Sequence, residues 1–251
     1  MGEIRNIIYA PSGELIATAS NGEHIAKIWN AASGACLHSY STYGSIHRML
    51  ISRRADRLHV KTGDRLLTYD LTSYTLISTL QCSDRRSLDC VYSQWGNTVV
   101  TSSATDPYTI HSPGTLNQPR RVQSPRCLTS PAAVSPDDTE LIAASGEPGE
   151  TKALTFDAET GQHRRTFELP GHAQKITYAP DGIYIAFIFN DGSVNIFDRV
   201  SAMRVARLDP LPAGGVLDSD ITFLPDNSAL IIPDNSGNIH VLNVRDALRL
   251  Q

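Results

Sequence analysis

Short apolar segments alternate with polar turns along the chain, and the alternation repeats at a nearly constant spacing. In each copy, an apolar segment leads into a turn rich in Pro, Asp, Gly or Asn and then into a second apolar segment. Successive copies begin 42, 41, 42, 44 and 45 residues apart, at Ile7, Met49, Cys90, Ala132, Ile176 and Ile221. The residue two positions further on is again apolar or aromatic, which places both side chains on one face of a β-strand. The pattern predicts six similar β-units.

A second landmark follows in most copies, where a bulky residue is followed by Asp or Asn. It occurs at Trp29–Asn30, Tyr69–Asp70, Phe156–Asp157 and Phe197–Asp198, and a turn and another short strand come after it. Four short strands in 41 to 45 residues, with no helical periodicity, are typical of a propeller blade. We therefore predict an all-β fold, a β-propeller of about six four-stranded antiparallel blades in a single domain, residues 1–251. The expected blades are 4–43, 44–85, 86–126, 127–170, 171–213 and 214–251.

The fifth copy contains, in this order, Gly171-His172, Pro180-Asp181-Gly182, Asp191-Gly192 and Phe197-Asp198. These motifs and their order resemble those of a WD repeat. The other copies are degenerate, and Phe187 stands where the family has a hydroxyl that bonds the histidine. The resemblance implies structural roles in the repeats for Trp29, Tyr69, Asp70, Phe156, Asp157, His172, Asp191, Phe197 and Asp198. Because no copy has the complete polar set of the family, we expect the blades to depend more on apolar packing than on polar networks.

The sequence leaves the closure of the ring open. Six blades could close it, or the repeats could be part of a seven-bladed ring. The resemblance also allows a repeat region within a larger scaffold or sensor protein.

Composition and charge narrow the class of protein. The longest apolar run, Ile183 to Phe189, has seven residues, far fewer than the roughly 20 of a membrane-spanning helix. Four cysteines without a C-x-x-C pair do not indicate a disulfide scaffold, so we expect a cytoplasmic protein, with the nucleus as an alternative. Residues 1–130 carry 13 Lys and Arg against 9 Asp and Glu, a net charge of +4, whereas residues 131–251 carry 9 against 17, a net charge of −8.

The sequence shows no recognisable catalytic constellation. Motifs for serine hydrolases, zinc metalloproteases, EF-hands and phosphate-binding loops are absent. The eight histidines form no pair at metal-ligand spacing in a matching local structure. Carboxylates such as Asp137, Asp138, Asp181 and Asp226 fall in predicted turns, where Asp accepts backbone hydrogen bonds. We expect no enzymatic activity, no cofactor and no metal site.

The expected function is that of a non-catalytic scaffold that presents loops for binding peptides or partner domains. The loops that WD-type propellers use for binding would bring Arg85, Arg86, Arg126 and Lys175 near one rim, where arginine suits acidic partners. Trp95 occupies a position where the other copies have a typical turn residue, and it is a further candidate for anchoring a partner protein. One alternative is an assembly subunit of a ribonucleoprotein or nucleic-acid-associated complex, although direct nucleic-acid binding is disfavoured because no basic run exceeds two residues. The least favoured alternative is a propeller hydrolase with a channel metal.

Overall fold

In a computed structural model of the chain, the described residues form short antiparallel strands joined by turns, with helical positions at Val244 and Asp246. It describes residues 4–20, 22–52, 54–63, 65–81, 90–92, 99–101, 108–111, 120–122, 128–145, 150–208, 221–233, 238–244 and 246. No helix in these ranges is long and apolar enough to cross a membrane.

The strands form sheets in which each strand pairs with the next one along the chain. The first sheet contains β1 to β4, at Ile4–Tyr9, Leu15–Ser20, Ile25–Asn30 and Cys36–Ser41. The second contains β5 to β8, at Arg48–Ile51, Arg57–Lys61, Arg65–Asp70 and Leu76–Gln81. The third contains β9 to β12, at Cys90–Tyr92, Val99–Thr101, Thr109–His111 and Arg120–Arg121.

The remaining sheets follow the same order. The fourth contains β13 to β16, at Leu128–Val134, Glu140–Ser145, Lys152–Asp157 and His163–Glu168. The fifth contains β17 to β20, at Ala173–Tyr178, Tyr184–Phe189, Val194–Asp198 and Arg204–Leu208. The sixth contains β21 to β23, at Thr222–Phe223, Ala229–Pro233 and Ile239–Asn243.

The number of complete blades differs from the prediction. Among the described residues, five sheets have four antiparallel strands, as a propeller blade requires, and the sixth has three. The chain therefore shows five four-stranded blades rather than about six. The expected fourth strand of the last copy falls at residues 247–250, which lie outside the described residues.

The repeat in the sequence corresponds to a repeated turn in the structure. In five copies, a four-residue turn joins the first two strands. The amide of its fourth residue donates a hydrogen bond to the carbonyl of its first residue. The fourth residue has a φ between 54° and 75° in each case, at Gly13, Ala55, Asp138, Gly182 and Asn227. Gly, Asn and Asp adopt this left-handed conformation at low cost, which explains their frequency at this position.

Contacts divide the chain into two compact units, residues 1–106 with 111–119, and residues 107–110 with 120–251. The core of the first unit lies between its first and second sheets and includes Ala17, Ile28, Leu58 and Tyr69. The second unit has two apolar clusters, and the fifth sheet contributes to both. Phe187 and Phe197 belong to the cluster shared with the fourth sheet, and Ile188 and Ile196 to the cluster shared with the sixth, so the fifth sheet is packed on both faces.

Candidate functional site

The residues proposed for the arginine-rich rim lie mostly outside the described part of the structure. Arg85, Arg86, Arg126 and Trp95 fall in residues that are not described. Lys175 lies in β17 and is partly buried. The rim therefore stays a prediction from the sequence.

The Asp or Asn that ends the third strand has the same role in four copies. Its Oδ1 accepts hydrogen bonds from the amides two and three residues further on, as in Asp70 with Thr72 and Ser73, both at 2.8 Å. The same pair of bonds occurs at Asn30, Asp157 and Asp198. These side chains stabilise the turn before the fourth strand.

The aromatic residues before these Asp and Asn residues pack within the sheets. Tyr69, Phe156 and Phe197 are buried. Trp29 is partly buried, and its Nε1 donates a hydrogen bond of 2.9 Å to Thr18 Oγ1. These aromatic side chains therefore contribute to packing within the described residues and do not line an open binding site.

His172 and Asp191 are the remaining positions taken from the repeat pattern. His172 is exposed, so the buried hydrogen bonds of this blade are built from other residues. Asp191 Oδ1 accepts hydrogen bonds from the amide and the hydroxyl of Ser193, at 2.9 and 2.6 Å, within the turn between β18 and β19.

A buried ion network links the fourth and fifth sheets and was not foreseen from the sequence. Glu140, the first residue of β14, is completely buried. Its Oε1 accepts hydrogen bonds from Tyr178 Oη at 2.9 Å and Arg199 Nε at 3.2 Å. Its Oε2 accepts one from Arg165 at 3.0 Å. A polar network is therefore present between these two sheets in addition to the apolar cluster that they share.

The network extends outward through Asp137, which binds the same arginine. The guanidinium of Arg199 donates to both carboxylate oxygens of Asp137, at 2.9 and 3.2 Å, and to Thr139 Oγ1 at 2.9 Å. Burial alone raises the pKa of Asp137, but the hydrogen bonds from Arg199, Ser135 and Thr139 outweigh it and hold the pKa well below its usual value. Burial and the neighbouring Glu140 carboxylate raise the pKa of Tyr178 well above its usual value, so it stays a donor.

The geometry of this network suits a structural role better than a catalytic one. The Glu140 carboxylate has no exposed surface and already accepts three hydrogen bonds, so a substrate cannot reach it. Among the described residues, no group of three or more His, Cys, Asp or Glu could hold a metal ion. The network holds β14, β16, β17 and the turn after β19 in one arrangement.

An exposed apolar patch lies at the turns of the fifth sheet, next to this network. We define the turn patch as Ile183, Val200 and Met203, which are 50%, 73% and 68% exposed. The two turns that carry it are joined, because the amide of Arg199 donates to the carbonyl of Ile183 at 2.9 Å. Exposed apolar residues grouped on fixed turns are a candidate contact surface.

Comparison with known proteins identifies the class of fold. No protein-family model and no curated protein matches the chain. A solved structure of hydrazine synthase from Kuenenia stuttgartiensis is similar over 97% of this chain and 77% of its own, with a TM-score of 0.72 and 17% sequence identity. At this identity the likeness shows the fold alone. The chain is an all-β propeller with four-stranded antiparallel blades.

Proposed function

We propose that this chain is a non-catalytic interaction protein that binds partner proteins through the turn patch of its fifth sheet. The observation that carries the proposal is the exposure of Val200 and Met203 on a turn whose backbone is fixed. Asp198 Oδ1 accepts bonds from the amides of Val200 and Ser201, and the amide of Ala202 donates to the carbonyl of Asp198. A surface that is already ordered loses little conformational entropy on binding.

The proposed partner presents an apolar side chain to the patch. Val200 and Met203 offer the apolar contact, and methionine adapts to irregular partners.

We also propose that the repeats are diverged WD repeats. The bond from Trp29 to Thr18 joins the third and second strands of the first sheet and supports this relationship. The rim formed by Arg85, Arg86, Arg126, Lys175 and Trp95 stays a proposed second surface for acidic partners, and the cytoplasmic location expected from the sequence stays a prediction.

Affinity capture with a patch variant tests the proposed surface. The tagged chain and its Val200→Glu/Met203→Glu variant are used as baits in the same native extract, and bound proteins are quantified by mass spectrometry. We expect the variant to lose specific partners about tenfold or more, because a carboxylate at the contact becomes desolvated.

A matched control uses exposed apolar residues of the first and second sheets. Leu37→Glu/Leu76→Glu alters two exposed leucines in the first unit and should leave the partners bound. If the patch variant and the control retain the same partners as the unmodified chain, the turn patch is not the binding surface.

A further inference from the structure

The turn patch contains one side chain whose polarity can be changed by a chemical reaction. Ile183 and Val200 end in saturated hydrocarbon, whereas Met203 carries a thioether sulfur, which peroxides oxidise to a sulfoxide. This oxidation converts a flexible apolar side chain into a polar one. Of the three residues of the patch, only Met203 can therefore exist in an apolar and a polar form.

The turn holds the backbone of Met203 in place and leaves its side chain on the outside. The Met203 carbonyl accepts a hydrogen bond from the amide of Asp198 at 2.9 Å, and its amide donates one to Ser201 Oγ at 3.3 Å. The residue is 68% exposed. A small oxidant in solution can therefore reach the side chain while the fifth sheet stays folded.

Met49 is a buried reference within the same chain. The sequence contains three methionines, Met1, Met49 and Met203, and Met1 lies outside the described residues. Met49 is 4% exposed and belongs to the apolar cluster of the first unit. Because that cluster must open before an oxidant reaches Met49, we expect Met203 to react first.

A sulfoxide at Met203 should weaken an apolar contact without disturbing the fold. Its oxygen accepts hydrogen bonds from water in the free chain, and burial against an apolar side chain removes the water without supplying a donor. Met203 is not a member of the apolar clusters that pack the described sheets. Oxidation should therefore act on binding rather than on stability.

We propose that Met203 is an oxidation site whose sulfoxide releases the partner bound at the turn patch, an inference that rests on the proposed function of that patch. Hydrogen peroxide is the oxidant. Its O–O bond breaks, one oxygen atom forms the S–O bond of the sulfoxide and the other leaves as water, so that sulfur loses the two electrons that the peroxide gains. A methionine sulfoxide reductase, supplied with a thiol, reverses the reaction.

Peptide mass mapping after treatment with hydrogen peroxide tests the site itself. We expect Met203 to be oxidised about tenfold or more faster than Met49 in the folded chain, and both at similar rates in concentrated urea. The chain oxidised at Met203 should keep the denaturation midpoint of the untreated chain. Equal rates in the folded chain, or a clearly lower midpoint after oxidation at Met203, would overturn the proposal.

Affinity capture with the oxidised chain tests the release of the partner. The immobilised chain is treated with peroxide, washed and exposed to the native extract. We expect the partners that Val200→Glu/Met203→Glu loses to fall about tenfold or more. Treatment with methionine sulfoxide reductase should restore them, whereas the thiol alone should not, because it reduces oxidised cysteines and leaves the sulfoxide.

Met203→Leu is the matched control, because it keeps an apolar side chain in the patch and retains the other methionines and all four cysteines. Peroxide should not change the amount of partner that this variant captures before treatment. If the oxidised unmodified chain retains the partners that Val200→Glu/Met203→Glu loses, or if peroxide lowers capture by Met203→Leu equally, the oxidation proposal is wrong and the patch is still the binding surface. If the double variant loses no partner, the proposed function fails and the release fails with it.

Discussion

The turn before the fourth strand requires a left-handed residue four positions after the Asp or Asn. The residues found there are Gly34, Tyr74, Gly161 and Ala202, with φ of 69°, 56°, 71° and 57°. Glycine adopts this conformation without a steric penalty, whereas an L-residue with a Cβ loses about 1 kcal/mol or more. Two of the four turns therefore carry backbone strain that the other two avoid.

Single substitutions at two of these positions should change the free energy of unfolding in opposite directions. We expect Ala202→Gly to raise the free energy of unfolding by about 0.5 to 1 kcal/mol. We expect Gly34→Ala to lower it by about 1 kcal/mol, because a Cβ there meets no atom within 4 Å and only the backbone penalty acts. Urea denaturation of the three proteins measures both effects. A gain from Gly34→Ala would contradict the assigned turn.

Asp137 makes the stability of the fold depend on pH in the acid range. Its pKa is lowered from the ordinary value of 3.8, so its contribution to stability is complete above that value and is lost as the pH falls towards the folded-state pKa. Asp137→Asn should therefore be less stable than the unmodified chain at pH 7, and its stability should fall less steeply between about pH 5 and pH 2. Denaturation midpoints across this range measure the difference.

A hydroxyl variant provides a comparison for the pH dependence. Thr139→Val removes one hydroxyl that donates to Asp137 Oδ1 at 2.8 Å and keeps every carboxylate, so it should weaken the acid dependence less than Asp137→Asn does. Parallel curves for Asp137→Asn and the unmodified chain would show that the bonds to Arg199 do not stabilise the folded state.

At the scale of the element, the fifth sheet depends on the packing of large aromatic residues against the fourth. The ring of Phe197 meets Phe187 and Phe167 edge to face, with centroids 5.1 and 5.8 Å apart. All three rings are buried in one cluster. Such pairs contribute beyond the area that they bury.

Phe197→Ala should therefore lower the free energy of unfolding by about 3 to 5 kcal/mol, because it leaves a cavity among these rings. Phe197→Leu keeps most of the volume and should cost clearly less. Chemical denaturation of both variants measures the costs. A midpoint for Phe197→Ala near that of the unmodified chain would mean that this ring does not hold the two sheets together.

The sequence predicts those parts of the molecule that depend on near neighbours in the chain. The hairpin turns and the role of Asp198 follow from residues a few positions apart, and the alternation of Ile176 and Tyr178 fixes which face is buried. The Glu140 network could not be predicted, because its partners Arg165, Tyr178 and Arg199 lie 25, 38 and 59 residues away. Pairing within the fourth sheet brings Arg165 to Glu140, and only the packing of the fifth sheet on the fourth adds Tyr178 and Arg199, so nothing in the spacing of single charges indicates the network.

The whole chain should show graded local stability, because its sheets are covered to different extents. Among the described residues, apolar clusters cover the fifth sheet on both faces, whereas the first and sixth sheets each contribute to one cluster. In a repeat protein, the stability of each unit depends on its interfaces with its neighbours. The inner strand β18 should therefore open less often than the inner strands β2 and β22.

Hydrogen exchange at a concentration where the chain is monomeric measures this gradient. We expect amides of β18 to exchange more slowly than those of β2 and β22. Leu230→Ala removes a buried side chain between the fifth and sixth sheets and should speed exchange in β22 and β18, while β2, whose core is a separate cluster in the other unit, keeps its rate. Equal acceleration in β2 would mean that the chain unfolds as one cooperative body, because a local interface defect would then be felt in a unit that it does not touch.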